Sequence, residues 1–174
     1  MLRGLLVASV LVASLSSWVL ASSPHTDLSV TATVLAVVSA SEIDVRVTRS
    51  SISPTVCAGT VVRVVYHGLS TPSRFEPLYM EAFDLNWKLT VDHEVYFNVA
   101  EPAWDSEQRL HAYVYFDPSG YGMINAFLLA SGLAAIDPQL ALTEPHAEFF
   151  LKVSAAAAQS ALGIWADPDE SGSP

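Results

Sequence analysis

Residues 42–48 alternate strictly, with Ile43, Val45 and Val47 on one side and Glu42, Asp44, Arg46 and Thr48 on the other. A period of two predicts a half-exposed strand. Residues 28–38 and 60–67 are rich in Val and Thr and read as two further strands. Between them, residues 50–59 form a loop marked by Ser, Pro54 and Gly59. The period then changes. Leu78, Ala82, Leu85 and Leu89 recur at helical spacing, with Pro77 suited to a first turn. Residues 93–99 predict a strand, 101–108 a polar loop and 110–116 another strand, closed by the turn Asp117-Pro118-Ser119-Gly120. A short helix over 123–131 stops at Gly132. Thr143 suits the N-cap of a last helix that runs to about Leu162 and ends at Gly163. The order is strand, strand, strand, helix, strand, strand, helix, helix. It predicts an α+β fold: a five-stranded OB-type barrel with three helices. Periodicity alone does not select that barrel over other α+β folds.

The start of the chain carries a different signal. Arg3 precedes an apolar run over residues 5–20, and Val19-Leu20-Ala21 supplies short side chains at its end. This is the pattern of a secretory signal peptide over 1–21, cleaved after Ala21. The run is short for a bilayer span, and Ser14, Ser16 and Ser17 dilute it. The expectation is an extracytoplasmic or secreted protein with no stable membrane span after cleavage. A linker over 22–31 leads into a domain over 32–167, and an acidic tail occupies 168–174. The strand-like run already begins at Leu28. Cys57 is the single cysteine, so neither an internal disulfide nor a thiolate metal cluster is available. The chain has 8 basic and 18 acidic residues and a formal charge of −10, and loss of Arg3 with the leader lowers this by one more. Proteins that grip polyanions carry the opposite balance.

Several short motifs then fall in order. Gly68-Leu69-Ser70-Thr71-Pro72 resembles the G-[IV]-D-T-P of thermonuclease-like proteins. Glu81-Ala82-Phe83 fits their first helix, and Arg109-Leu110-His111-Ala112-Tyr113-Val114-Tyr115 resembles their R-x-L-A-Y-V-Y strand. Gly122-Met123-Ile124-Asn125 resembles G-x-M-V-N, Ser131-Gly132-Leu133-Ala134 resembles a closing G-x-A, and Leu162-Gly163-Ile164-Trp165 resembles G-[LI]-W. Each piece is short, but together they cover about 32–167. The chain thus resembles the staphylococcal-nuclease-like family, whose fold is a five-stranded OB barrel with three helices. Tyr113, Tyr115, Trp165 and Phe83 read as core aromatics, and Asn125 as a group that bonds backbone.

The resemblance implies a chemistry and shows where this chain departs from it. Family members are calcium-dependent nucleases. Acidic residues hold the ion, a glutamate is the proposed base, and two arginines stabilise the phosphorane. A hard cation wants oxygen ligands, stabilises phosphoryl charge and helps ionise water. Arginine matches phosphate oxygens in a fork. Here the first acidic motif is replaced by Ser39-Ala40-Ser41-Glu42, and the second by Ser70-Thr71-Pro72-Ser73. The family carboxylates are therefore Ser39, Ser41, Ser70 and Ser73, the first arginine is Val65, and Arg109 alone is retained. A hydroxyl carries no charge to hold a cation and is no base near neutral pH. The resemblance thus implies a degenerate site with no expected cofactor.

Compensation has named candidates. Arg63 lies two residues before Val65 and on a strand shares its face. Glu42, Asp44 and Glu76 are the acids from which a shifted calcium site would be built. Their simpler readings are solvated strand charges for Glu42 and Asp44, and a helix-start carboxylate for Glu76. His67, His93, His111 and His146 show no metal-ligand spacing. No G-x-S-x-G elbow and no phosphate-cradling glycine loop is present. Arg46, Arg49, Arg63 and Arg74 are the material for a local basic patch, opposed by Glu101, Asp105 and Glu107 ahead of Arg109. Two functions follow as expectations. One is an exported, catalytically degenerate binding or structural module, with a protein or neutral ligand favoured over nucleic acid. The other is a divergent metal-dependent nuclease, which needs Glu42, Asp44 or Glu76 to converge with Arg109 in one cleft.

Overall fold

The computed structural model describes residues 28–140 and 142–166. The leader, residues 22–27 of the linker and the acidic tail lie outside the described residues. Five strands close a barrel in the order β1-β2-β3-β6-β5: β1 (Val30–Ser39), β2 (Glu42–Ser50), β3 (Val61–Tyr66), β5 (Glu94–Trp104) and β6 (Leu110–Tyr115). Only the β3–β6 pair is parallel, and β1 meets β5 to close the ring. Two short strands, β4 (Leu69–Ser70) and β7 (Ala135–Ile136), pair outside it. The helices are α1 (Tyr79–Thr90), α2 (Ile124–Ala130) and α3 (Ala147–Gln159), with a 3-10 turn at Gly163–Trp165. This is the expected OB barrel with three helices. No helix among the described residues is long and apolar enough to cross a membrane.

The β2 alternation is kept in full. Ile43, Val45 and Val47 are buried, and with Val64, Val95, Phe97 and Val114 they fill the barrel. Met123, Ile124, Leu128 and Leu129 extend the core beneath α2. Two glycines explain two of the family-like motifs. Gly132 and Gly163 both have positive φ, and Ile164 N donates to Gly132 O at 2.8 Å. A Cβ on either would lie 2.1 Å from a backbone oxygen of the facing segment, so only glycine fits.

Some boundaries differ from expectation. β1 begins at Val30, inside the segment read as linker, and Val30 is core. β5 continues through Glu101 and Pro102 to Trp104, where a polar loop was expected. The register with β6 slips between Val99 and Trp104, so Pro102 sits where the ladder is interrupted and its missing N–H is tolerated. Pro77 precedes α1 instead of lying in its first turn, because Leu78 takes a left-handed conformation ahead of Tyr79. Thr143 caps nothing. α3 starts four residues later, after His146 at φ 70°, and ends at Gln159. The cause is tertiary: Glu144 is held by His67 and Tyr113, which fixes how the chain enters the helix.

Candidate functional site

One end of the barrel gathers the turn between β1 and β2, the end of β3 and the start of β6. Glu42, Val65 and His111 stand in one lateral row across β2, β3 and β6. Val65, where the resemblance implies an arginine, thus lies between an acid and a histidine. Hydroxyls stand where the resemblance implies the family acids. Ser39 Oγ accepts from Ser41 N at 3.3 Å, and Ser41 Oγ shares a hydrogen bond with Thr71 Oγ1 at 3.0 Å. Ser70 and Ser73 are exposed on the segment leading to α1.

The turn is set from beneath by a residue that helical spacing alone marks out. Asn86 lies one turn after Ala82 and one before Thr90, and all three are buried. Its Nδ2 donates to Ser39 O at 2.9 Å, and its Oδ1 accepts from the Tyr66 hydroxyl at 2.6 Å. Apolar periodicity passes over it because its side chain is polar. The run 82, 86, 90 was the available signal. Asn125 behaves as read: its Oδ1 accepts from Val114 N at 2.9 Å and its Nδ2 donates to His67 O at 3.0 Å.

Arg109 is held in a cage. Its Nε donates to Asp105 Oδ2 at 2.7 Å and its Nη1 to Glu42 Oε1 at 2.9 Å, and Glu107 Oε1 lies 3.7 Å from Nη2. Asp105 also accepts from the backbone N–H groups of Glu107 and Arg109, each at 2.9 Å. Burial acts to raise the Asp105 pKa, but these bonds outweigh it and hold the carboxyl well below its ordinary range. The hydrogen bond to Asp105 first, and then the surrounding acids, raise the Arg109 pKa against burial. Three carboxylates around one guanidinium leave this end of the barrel negative.

The other acids go elsewhere. Asp44 takes both Arg63 Nε and Nη2, at 2.9 and 3.0 Å, on the strand face beyond the cage. Arg63 therefore does not join Arg109. Glu76 Oε2 accepts from Ser73 N at 2.6 Å in an exposed turn, which lowers its pKa. Of the three candidate acids, Glu42 alone reaches Arg109. In the basic patch, Arg63 is neutralised by Asp44 and Arg74 lies in the loop beyond β4.

Three histidines converge beside the cage, although their spacing gave no sign of it. The His67 and His111 rings meet edge to face at 5.8 Å. His67 Nε2 is 2.9 Å from Glu144 Oε2, and His111 Nε2 is 3.3 Å from Asp105 Oδ2. Glu144 also accepts from the Tyr113 hydroxyl at 3.2 Å, and Tyr113 packs on His146 at 4.7 Å. His146 Nδ1 is buried and has no hydrogen-bond partner among the described residues, and burial lowers its pKa. His93 is exposed and apart. A network thus runs from Glu42 through Arg109, Asp105, His111, His67 and Glu144 to Tyr113. Asp105 and Glu144 are its hinges, and neither lies in a motif.

Calcium does not fit these donors. Ser39, Ser41 and Ser70 offer neutral oxygens, and Glu42 is committed to Arg109. Among the described residues no group of three His, Cys, Asp or Glu side chains is placed to hold a metal ion. The comparison with curated proteins finds no match. The family model described as "Staphylococcal nuclease homologue" matches residues 63–167, from β3 to the end of the described chain and one residue beyond. That span is more than half of the 174 residues, and it agrees with the barrel and its three helices, so the chain belongs to the staphylococcal nuclease homologue family.

Proposed function

We propose that this protein is an exported, catalytically degenerate member of its family that works as a binding or structural module. The observation that carries the reading is the Arg109 cage. Phosphodiester cleavage needs a cation and free guanidinium donors facing the phosphate. Here the retained arginine is turned onto Asp105 and Glu42, with Glu107 close by. An approaching phosphodiester meets three carboxylates, whose repulsion opposes the one attraction. Serines at the family's acidic positions restore neither the cation nor a base. The module needs no cofactor. The net charge of −10 favours a protein or neutral ligand over nucleic acid. Export rests on the leader sequence and on cleavage after Ala21.

One observation favours the second reading, a divergent metal-dependent nuclease. Glu42 does meet Arg109, as a rebuilt site would need. Asp44 and Glu76 do not, which leaves that site a single carboxylate already paired. The test is incubation with single-stranded DNA and RNA, in calcium and separately in EDTA, with Arg109→Ala alongside. The module reading expects no cleavage by folded protein. Cleavage that requires both calcium and Arg109 would overturn it. N-terminal sequencing of protein recovered from the producing cells tests export: a start at Ser22 is expected, and an intact Met1 would refute processing.

A further inference from the structure

The end of the barrel opposite the cage carries a separate feature. β2 opens at Glu42 and closes at Ser50, so at about 3.3 Å per residue its two ends lie roughly 25 Å apart. At the far end a cavity of about 250 Å³ is walled by Ser29, Thr31, Arg49, Ser50, Tyr96 and Pro118. It is smaller than the ~300–1,000 Å³ of sites for drug-sized ligands, so it has room only for a small molecule.

The chemistry of the wall points to charge. The paired cations Arg63, Lys88, Arg109 and Lys152 each have a carboxylate within reach. Arg49, like Arg46 and Arg74, has none among the described residues, but of these three it alone lines the cavity, and its one side-chain hydrogen bond is a long one, from Nη2 to Thr31 Oγ1 at 3.4 Å. Thr31 is buried at the floor, and its hydroxyl accepts from Arg49 while keeping its own hydrogen to donate. The position follows from the strands. The β1–β2 register slips between Thr31 and Ala32, which places Thr31 opposite Arg49 instead of one residue along. Two acids act on the same wall. Glu94 accepts from the Tyr96 hydroxyl at 3.4 Å, and the Asp117 charge also reaches Tyr96. Both acids oppose negative charge at this wall, and two charges more than one.

We infer that this cavity binds a small carboxylate-bearing molecule, with the Arg49 fork on the carboxylate and the Thr31 hydroxyl donating from the floor. A planar guanidinium matches a carboxylate in two parallel hydrogen bonds. The site is independent of the Arg109 end and of whether that end cuts nucleic acid.

The experiment is backbone-amide NMR of the full chain, titrated with acetate and separately with acetamide, its neutral isostere, at constant ionic strength. Acetate is expected to give saturating shifts at Ser29, Thr31, Ser50 and Tyr96, and acetamide none. Arg49→Gln is expected to weaken acetate about tenfold or more, as loss of a charge-assisted bond does. Arg46→Gln removes the same charge elsewhere on β2 and is expected to leave binding unchanged. Thr31→Val, which keeps the shape and removes the floor donor, is expected to weaken it by a smaller factor. Equal response to acetamide, absence of saturation, or equal weakening by Arg46→Gln would overturn the assignment.

Discussion

Replacing Asn86 by Ala tests how the turn between β1 and β2 is held. Asn86 and Tyr66 are both fully buried, and the bond between them is 2.6 Å long. Its loss leaves a phenol hydroxyl without a partner in the core, at about 1–3 kcal/mol. The bond from Asn86 Nδ2 to Ser39 O, at 2.9 Å, is only partly buried and contributes about 0.5–1.5 kcal/mol. The space left by the amide adds about 1 kcal/mol. The total is about 2.5–5.5 kcal/mol, read by urea denaturation followed through tryptophan fluorescence. A double-mutant cycle isolates the pair. Tyr66→Phe alone leaves Asn86 Oδ1 unpaired and destabilises. In the Asn86→Ala background the same change removes an orphan hydroxyl and recovers about 1–3 kcal/mol. The reasoning is refuted if Asn86→Ala costs under about 1 kcal/mol, or if Tyr66→Phe costs the same in both backgrounds. Amide exchange at Ser41 should rise in Asn86→Ala, since the turn loses its support.

Arg109→Gln leaves Glu42 and Asp105, each with its side chain 19% exposed, facing one another without a counter-ion. A loss of about 1–3 kcal/mol is expected by denaturation, with added salt narrowing the gap. His146 sets an acid limb: its folded pKa lies below the ordinary 6.5, so the unfolded chain binds the proton first. Stability is intact above about pH 6.5 and falls as pH drops toward the folded value. In His146→Phe, whose ring still packs on Tyr113 and Phe150, the thermal midpoint should lose that component of its fall over the same range. Gly132→Ala places a Cβ 2.1 Å from Leu162 O at a positive φ. A loss of at least about 2 kcal/mol in chemical denaturation is expected, whereas Gly59→Ala, with open space around it, should show only the cost of its φ.

What the sequence determined by itself was whatever repeats over a few residues. The strict alternation of β2, the apolar face of α1 and the Gly132 stop are local patterns, and each appears in the fold near its expected place, whereas α3 ends at Gln159, short of Gly163, which opens the 3-10 turn. The reading of Ser39, Ser41, Ser70 and Ser73 against the family's acidic positions used only the order of the motifs. The starts of α1 and α3 were misplaced because Leu78 and His146 take left-handed conformations before their helices. At α3 this goes with contacts from Glu144 to residues 77 and 31 positions away, which no local pattern contains. The cage is of the same kind. Glu42 lies 67 residues from Arg109, and only the closing of β2, β3 and β6 into one wall brings the two charges together. Periodicity records which side of an element faces the core. Which charges then meet at the barrel's end depends on strand order and register, and those are settled by packing the whole chain.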